Sequence, residues 1–350
     1  MKQVKQQEIA KKLKLSRATV SRCFTNHPGI NPQTRALVFE TAIELGYHHL
    51  SSRSSKNENE IEQKIFGILI CTSEEEYYRT DYENSGKSIF KGISEFSQIK
   101  KIQLSIHFLD PSNTSISSKN FKDIINTYGK LWDGILMIHP LPKEIVDYLV
   151  LRYPCVSTVE QRSSVNLNCV DVDHYQGINY LINFLYEYGH QRIAFYSIEY
   201  EFLQSWVLRR AGAYFEKMTK LGFKIKEMDM INVHPNNMVS LEESFDQAAK
   251  AVEDGVSAFI CAADHQAYEL IKGLKKRGIR VPEDVSICGF DGVETPENAL
   301  QICTVKIPNY DIGYSATERL FEHSKKRFSS THHTLLGCSI IKGDTVSVNS

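Results

Sequence analysis

The sequence predicts a small all-α module followed by a larger α/β domain built from two mainly parallel sheets. Three observations predict this fold class. The first 47 residues contain three short helical segments, each with an apolar face. From residue 64 onward, apolar runs alternate with amphipathic stretches, which is typical of parallel sheets covered by helices on both faces. The charge is also divided unevenly, since residues 1–56 carry +7 and the remainder −8.

The composition is that of a globular protein without a membrane segment. Hydrophobic residues make up 42% of the chain and charged residues 24%. No apolar run approaches the roughly 18–20 residues that span a bilayer, and the N-terminal MKQVKQQEIAKK lacks the apolar core of a signal peptide. We therefore expect a cytoplasmic protein. The eight cysteines form no CxxC pair, so buried reduced thiols are expected.

The basic N-terminal module reads as a helix-turn-helix with a third bracing helix. A first helix is expected over about 5–13, and Ser16 is a good N-cap for a second helix that ends near Phe24. Asn31 caps a third helix that has Pro32 at its first position, where the missing N–H costs nothing. Two short helices across a tight turn, followed by a third, are the plan of many DNA-binding modules.

The second helix is expected to enter the major groove of DNA. Arg17 and Ala18 then stand where base edges are read, because arginine can bridge the two acceptors of guanine and alanine can contact a thymine methyl. Arg22 can reach a base or a phosphate. The short donors suited to phosphate oxygens are Ser16, Thr19, Ser21, Asn26 and Thr34. The alternative is a solvated amphipathic module with incidental arginines.

The segment IAKKLKLSRATVSRCFTNHPGINPQTRALVFETAIELGY (9–47) resembles the headpiece of the LacI/GalR family of bacterial transcriptional repressors. The family pattern is roughly VAxxAGVSxxTVSRVLN, a short loop, and VSxxTRxxVxxAxxxLGY. The resemblance implies that Arg17, Ala18 and Arg22 are the base-reading positions. One departure is Lys14, which replaces the turn glycine at a cost of about 1 kcal/mol if the turn is left-handed.

A second departure follows the headpiece, which we place at residues 1–50. Where the family has a hinge helix with a leucine that wedges into the minor groove, this chain has Lys56 in a stretch rich in Ser, Asn and Glu. Residues 51–63 are therefore expected to form a polar linker rather than a DNA-bending hinge.

The remainder, residues 64–345, alternates strands and helices. Strands are expected at 65–71, 102–108, 134–138, 154–159, 192–197, 228–233, 256–262 and 285–290. Helices are expected near 85–98, 120–129, 142–151, 175–188, 205–221, 242–253, 266–277 and 310–326. So many strands favour two sheets side by side, and ligands of such sheets bind at the carboxyl ends of the strands.

The stretches GHQRIA (189–194) and VPEDVS (281–286) resemble the effector domain of the same family. That resemblance implies a periplasmic-binding-protein-like fold with two lobes, an effector held between them, and dimerisation through this domain. It also implies that Arg209 reaches the effector from the cleft wall. Asp291 ends an apolar strand and could accept two hydroxyl hydrogen bonds from a sugar, or could simply cap a loop.

Three further residues are weaker candidates for effector contacts. Asp264 stands at the start of a helix and is better explained as the N-cap of that helix. Asp173, at the end of VDVD, is likewise expected to be the N-cap of the helix that follows it. Glu160 follows a strand and is a candidate for the cleft lining. Tyr77, beyond the first strand, could stack on a sugar or a purine ring, and a solvated loop tyrosine explains it equally well.

Enzyme and metal functions find little support in the sequence. Gly86-Lys87-Ser88 resembles the end of a phosphate loop, but Asp81 occupies the position of its first glycine. The two histidine pairs, His48-His49 and His332-His333, have no partners at metal-ligand spacing. No cofactor or catalytic site is expected.

The sequence thus predicts a repressor that binds double-stranded operator DNA as a homodimer, with a tetramer left open. The resemblance to the family implies a sugar as the effector, with a purine, a nucleoside or a protein corepressor as the alternative. A solute-binding protein that serves a transporter is the rival class, and it would need a signal peptide and no basic headpiece.

Overall fold

The computed structural model divides into two compact units. The residues that it describes are 5–24, 29–44, 63–72, 85–110, 114–162, 165–200, 204–325 and 330–349. The first unit comprises the described residues of 1–80, 84–171 and 309–334, and the second those of 172–308 and 335–350. Asn26, Tyr77 and linker residues 51–62 lie outside the described residues.

The headpiece consists of three helices, as the sequence predicts. They are α1 (Gln6–Lys12), α2 (Arg17–Phe24) and α3 (Pro32–Glu44). Ile9, Val20 and Val38, one from each helix, are fully buried and form its core. The headpiece belongs to the same compact unit as the first sheet and does not form a unit of its own.

The sheet of the first unit has six strands. They are β1 (Ile65–Ile70), β2 (Gln103–Phe108), β3 (Gly134–Ile138), β4 (Cys155–Thr158), β5 (Asn168–Val172) and β11 (His333–Leu336), in the spatial order β2-β1-β3-β4-β5-β11. Neighbours from β2 to β5 pair in parallel. The accompanying helices are α4 (Ser85–Ile99), α5 (Lys119–Tyr128), α6 (Lys143–Val150) and α11 (Asn309–Lys325).

The sheet of the second unit repeats this order. Its strands are β6 (Ile193–Tyr196), β7 (Met230–Ile231), β8 (Ala258–Cys261), β9 (Ser286–Asp291), β10 (Cys303–Lys306) and β12 (Ser339–Ile341), in the order β7-β6-β8-β9-β10-β12. Only the β10–β12 pair is antiparallel among the described pairs of this sheet. Its helices are α7 (His174–Glu187), α8 (Ser205–Lys220), α9 (Leu241–Glu253) and α10 (Asp264–Lys276).

The repeated strand order determines where ligands are expected to bind. In both sheets the order reverses between the first and third strands of the unit, at β1/β3 and at β6/β8. The crevice outside the carboxyl ends of the strands at such a switch point is the usual binding position in open α/β sheets. In the second unit this edge carries Asp264, just after β8, and Asp291, the last residue of β9.

All eight predicted helices of the large domain are present within a few residues, but the strand prediction was incomplete. The prediction missed β5, β10, β11 and β12, and the strand expected at 228–233 is reduced to Met230–Ile231. Strand β5 escaped detection because it contains Asn168 and Asp171, two polar residues that are almost completely buried. A continuous apolar run is a poor signal for such a strand.

Two further expectations can be compared with the described residues. All eight cysteines are unpaired and seven are buried, which confirms the expected reduced thiols. Among the described helices, none combines the length and the hydrophobicity needed to cross a bilayer.

Close helix packing in the first unit depends on two glycines. A Cβ added at Gly92 of α4 would overlap the backbone carbonyl of Tyr310, and one added at Gly313 of α11 would overlap that of Ile89. Backbone approaches backbone at both points, so no side-chain rotation can make room. Gly212 of α8 is different, because a Cβ there would meet nothing within 4 Å.

We expect Gly313→Ala to lower the free energy of unfolding by about 1–3 kcal/mol, because the added methyl forces α4 and α11 apart. Gly212→Ala is the matched control and should raise it by about 0.5–1 kcal/mol, since alanine restricts the unfolded chain. Urea denaturation followed by circular dichroism measures both. Equal midpoints for the two variants would contradict this account of the packing.

Candidate functional site

The turn between α1 and α2 adopts the strained conformation that the sequence suggested. Lys14 has φ +53°, a left-handed conformation that favours glycine. The next polar residue, Ser16, caps α2, because its Oγ accepts a hydrogen bond from the backbone N–H of Thr19 (3.0 Å). The two hydroxyls also bond to each other at 2.8 Å. The turn and the cap together fix where α2 begins.

Helix α2 has one buried and one exposed face. Val20, Cys23 and Phe24 are buried against the other two helices. Arg17, Ala18 and Arg22 are exposed, as is Ser16, whereas Thr19 and Ser21 are half-buried. The three residues expected to read bases therefore lie on the solvent-facing side of a helix whose orientation is fixed by its apolar side.

A buried arginine joins α3 to the end of α2. The Arg35 Nη1 donates to the carbonyl oxygen of Cys23 at 2.9 Å, and Arg35 is only 2% exposed. Burial lowers the pKa of Arg35 below its usual value. Asn31 caps α3 as predicted, its Oδ1 accepting from the N–H of Thr34 at 2.6 Å. Arg35 was not singled out as a positioning residue from the sequence, where it appears only within the Thr34-Arg35 match to the family pattern.

The second unit carries a buried charged cluster at the carboxyl edge of its sheet. Arg210 of α8 is 2% exposed, and its Nη1 lies 3.3 Å from Oδ1 of Asp291. Its Nε donates to Nδ1 of His174 at 3.2 Å, and Nη1 also donates to the carbonyl oxygen of Ala262. The guanidinium stacks 3.8 Å from the ring centroid of Phe290. Arg210 therefore links α7, α8 and the ends of β8 and β9.

Asp264 is a second member of this edge, and its expected role as an N-cap was wrong. Ala263 occupies the cap position of α10, and Asp264 is the first helical residue, 1% exposed. Its Oδ2 accepts from the backbone N–H groups of Gly292 (2.8 Å) and Val293 (2.9 Å). Its Oδ1 accepts from the hydroxyl of Thr304 at 2.5 Å. The carboxylate thus holds the loop that follows β9. Asp173, by contrast, caps α7 as predicted.

Burial controls the ionisation of both carboxyls. It raises the pKa of Asp264 to about 7, with a further contribution from the negative charge of Asp291. Burial also raises the pKa of Asp291, and the neighbouring Arg210 opposes that change. The guanidinium of Arg210 therefore has Asp291 as its direct partner, while Asp264 is bonded to the loop after β9.

Aromatic and polar side chains that the sequence analysis did not select surround this edge. The Tyr200 hydroxyl accepts from Nε2 of Gln266 at 2.7 Å and lies 3.3 Å from Nε2 of His265. Its ring packs against that of Trp206 with centroids 5.8 Å apart, and Trp206 in turn lies under the guanidinium of Arg210. No sequence motif indicated Tyr200 or Trp206. Their only signal was their position after β6, a strand at the switch point.

The other predicted effector residues occupy different settings. Arg209 is half-buried, and its Nη1 donates to Oγ of Ser205 on the same helix at 3.1 Å. Glu160 lies in the first unit beyond β4, is 8% exposed, and pairs with Arg162 at 3.3 Å. The structure brings Asp264 and Asp291 together through one loop. The effector contacts of Arg209, Asp291, Asp264 and Glu160 stay predictions.

Comparisons with known proteins agree with this architecture. Residues 182–346 match the model of a periplasmic binding protein-like domain. The transcriptional repressor CytR of Escherichia coli K12 is 26% identical over 97% of this chain and 95% of its own length. The regulator RegA of Clostridium acetobutylicum is 27% identical over 97% of this chain and 98% of its own.

Solved structures show the same fold. A cellobiose complex of the transcriptional regulator CelR superimposes with a TM-score of 0.63 and 18% identity, covering 98% of this chain and all of that one. The lac repressor dimer bound to operator and an anti-inducer gives the same score and identity over 99% of this chain and all of that one. The chain is thus similar over nearly its full length to bacterial transcriptional repressors and regulators, and it shares the fold of the CelR and lac repressor structures.

Proposed function

We propose that the chain is a ligand-controlled transcriptional repressor. A homodimer places two α2 helices in the major groove of a pseudo-palindromic operator in the cytoplasm, with half-sites about one helical turn apart. The carrying observation is the exposure of Arg17, Ala18 and Arg22 on a helix whose other face is buried. The protein acts by binding, without a chemical step. The dimeric, operator-bound lac repressor supports this assembly.

Recognition divides between base reading and phosphate contacts. Arg17 bridges the two major-groove acceptors of a guanine, Ala18 contacts a thymine methyl, and Arg22 contacts a base or a phosphate. Ser16, Thr19, Ser21, Asn26 and Thr34 contact the backbone. The hydrogen bond between Ser16 and Thr19 uses only one of their two hydroxyl protons. The other proton is then available for a phosphate oxygen.

The effector is a sugar, bound at the carboxyl edge of the second unit with contributions from Arg209 and Asp291. An aspartate beside an arginine offers acceptors and donors for neighbouring hydroxyl groups, and Tyr200 and Trp206 supply aromatic surface for a ring. Asp264 has all three of its described hydrogen bonds turned inward. That burial supports a positioning role, in which Asp264 holds the loop behind Asp291. Glu160 and Tyr77 stay candidate effector contacts.

Sugar complexes of similar structures support this ligand class. The CelR structure contains cellobiose, and a regulator from Weissella paramesenteroides, with a TM-score of 0.59 and 19% identity, contains glucose. A nucleoside is the alternative, because the Tyr200–Trp206 pair would stack on a purine as well as on a sugar ring.

We expect Arg17→Ala to weaken binding to a duplex selected from a random 30-base-pair pool by about 1–3 kcal/mol, roughly 5- to 150-fold, because a bidentate base contact is lost. Fluorescence anisotropy at fixed salt measures the affinity. Arg280→Ala is the control, since it removes the same charge from an exposed arginine of the second unit that pairs with Asp284. Equal losses of DNA affinity in both variants would mean that only the net charge of the protein matters, and would contradict base reading by Arg17.

We expect a thermal-shift screen of monosaccharides, disaccharides and nucleosides to find a stabilising compound of one class. At about 100 times its dissociation constant such a ligand adds roughly 2.7 kcal/mol. Arg209→Ala should abolish the shift, and Lys217→Ala, farther along α8, should leave it intact. A shift that survives Arg209→Ala would remove this residue from the site, and a nucleoside hit would replace the sugar.

The raised pKa of Asp264 predicts a pH dependence of stability. The folded state binds a proton that the unfolded state releases near pH 4, so the free energy of unfolding falls as pH rises from about 4 to about 7. Asp264→Asn has no such proton, and an amide can both accept from the loop N–H groups and donate to Thr304. The free energy of unfolding of wild type minus that of Asp264→Asn should therefore fall between about pH 4 and about pH 7. Above about pH 7 this difference should be constant. Urea titrations from pH 4 to 8 give the difference, and a flat difference would refute the assignment.

A further inference from the structure

The headpiece packs directly against the α/β part of the first unit, which we call the lobe. The contact runs through a row of three aromatic rings. Phe24 of α2 and Phe39 of α3 lie with ring centroids 5.1 Å apart and planes at 88°. Phe39 also contacts Phe90 of α4, with centroids 6.1 Å apart at 73°. Both arrangements are edge-to-face, the favoured geometry of aromatic pairs. The row thus runs from the DNA-reading helix into the core of the lobe.

Two further features show that this contact is well packed. The side-chain amide of Gln98, near the end of α4, donates to the backbone carbonyl of Ile30. Phe39 is 7% exposed and Phe90 is fully buried.

One headpiece residue of this contact, Phe39, is not part of the headpiece pattern. In VSxxTRxxVxxAxxxLGY, Phe39 occupies a variable position directly after the patterned Val38. Its ring contacts Phe24 within the headpiece on one side and Phe90 of α4 on the other. Its burial against Phe90 therefore gives it a function outside the headpiece core.

We propose that α4 is a docking platform for this chain's own headpiece, and that the dock, made by Phe39 on Phe90 and by Gln98 on Ile30, sets the orientation of α2 on each subunit. The reading residues Arg17, Ala18 and Arg22 remain exposed in the docked arrangement. Docking therefore does not block DNA. It limits the orientations that the headpiece adopts relative to α4.

The dock also places the headpiece on a helix that approaches the backbone of α11 closely. Helix α4 is locked to α11 by Gly92 and Gly313. A shift of α4 is therefore transmitted to Phe90 and Gln98 as a rigid displacement. This consequence for DNA rests on the proposed function, whereas the dock itself does not.

Amide hydrogen exchange of the full chain tests the dock. A headpiece of about 45 residues has little core of its own, so losing the dock should speed exchange in residues 29–44 by about two- to tenfold. Phe90→Leu and Gln98→Met should both produce this change. Phe96→Leu is the matched control, because Phe96 lies on the same helix but packs on Tyr314 and Phe321. Equal acceleration in the control, or none in any variant, would overturn the dock.

Selection of duplexes from a random pool tests the consequence for DNA. Wild type and Phe96→Leu should enrich sites with one dominant half-site spacing, and Phe90→Leu should accept spacings that vary by several base pairs. The same narrow spacing in all three would overturn the orienting role. If wild type enriches no duplex while the exchange differences persist, the proposed function fails and the dock stands.

Discussion

The buried guanidinium of Arg210 is the constraint on which the second unit depends. It contacts the start of α7, the end of β8 and the end of β9 through His174, Ala262 and Asp291. Leaving one member of such a buried pair without its partner typically costs about 3–5 kcal/mol. The strand ends are therefore fixed before any ligand arrives. A ligand that meets side chains already held in place does not have to order them, and this preorganisation favours affinity.

The sequence located this edge but could not identify its central residue. Arg209 and Arg210 are adjacent, and the resemblance to the family selected Arg209. In the structure the two side chains lie on different faces of α8, so that Arg210 is buried and Arg209 half-buried. One residue of helix corresponds to about 100° of rotation, and no pattern in a single sequence fixes which of two arginines faces the core. Asp264 was misjudged for a related reason, because its partners lie 28 to 40 residues away.

Features that depend on residues close together in the chain, such as helix caps and turns, were predicted correctly. Asn31 and Ser16 cap helices because their own backbone supplies the partner three residues on, and the left-handed Lys14 follows from the family's turn glycine. The helices of the large domain follow from their amphipathic period. The failures, such as β5 with its buried Asn168, concern polar residues whose partners are distant. Arg319, which donates to Asn168 at 3.1 Å, is 151 residues away and gives no local signal.

The division of charge explains why headpiece orientation matters in this chain. Residues 1–56 carry +7 and the remainder −8, so the acidic body opposes the phosphate backbone and the headpiece provides the attraction. Attraction without orientation favours non-specific binding, because every duplex offers the same phosphates. Specific binding then requires that two base-reading helices be presented at one spacing. A direct contact between headpiece and lobe can impose it, and the aromatic row from Phe24 through Phe39 to Phe90 is a contact of that kind.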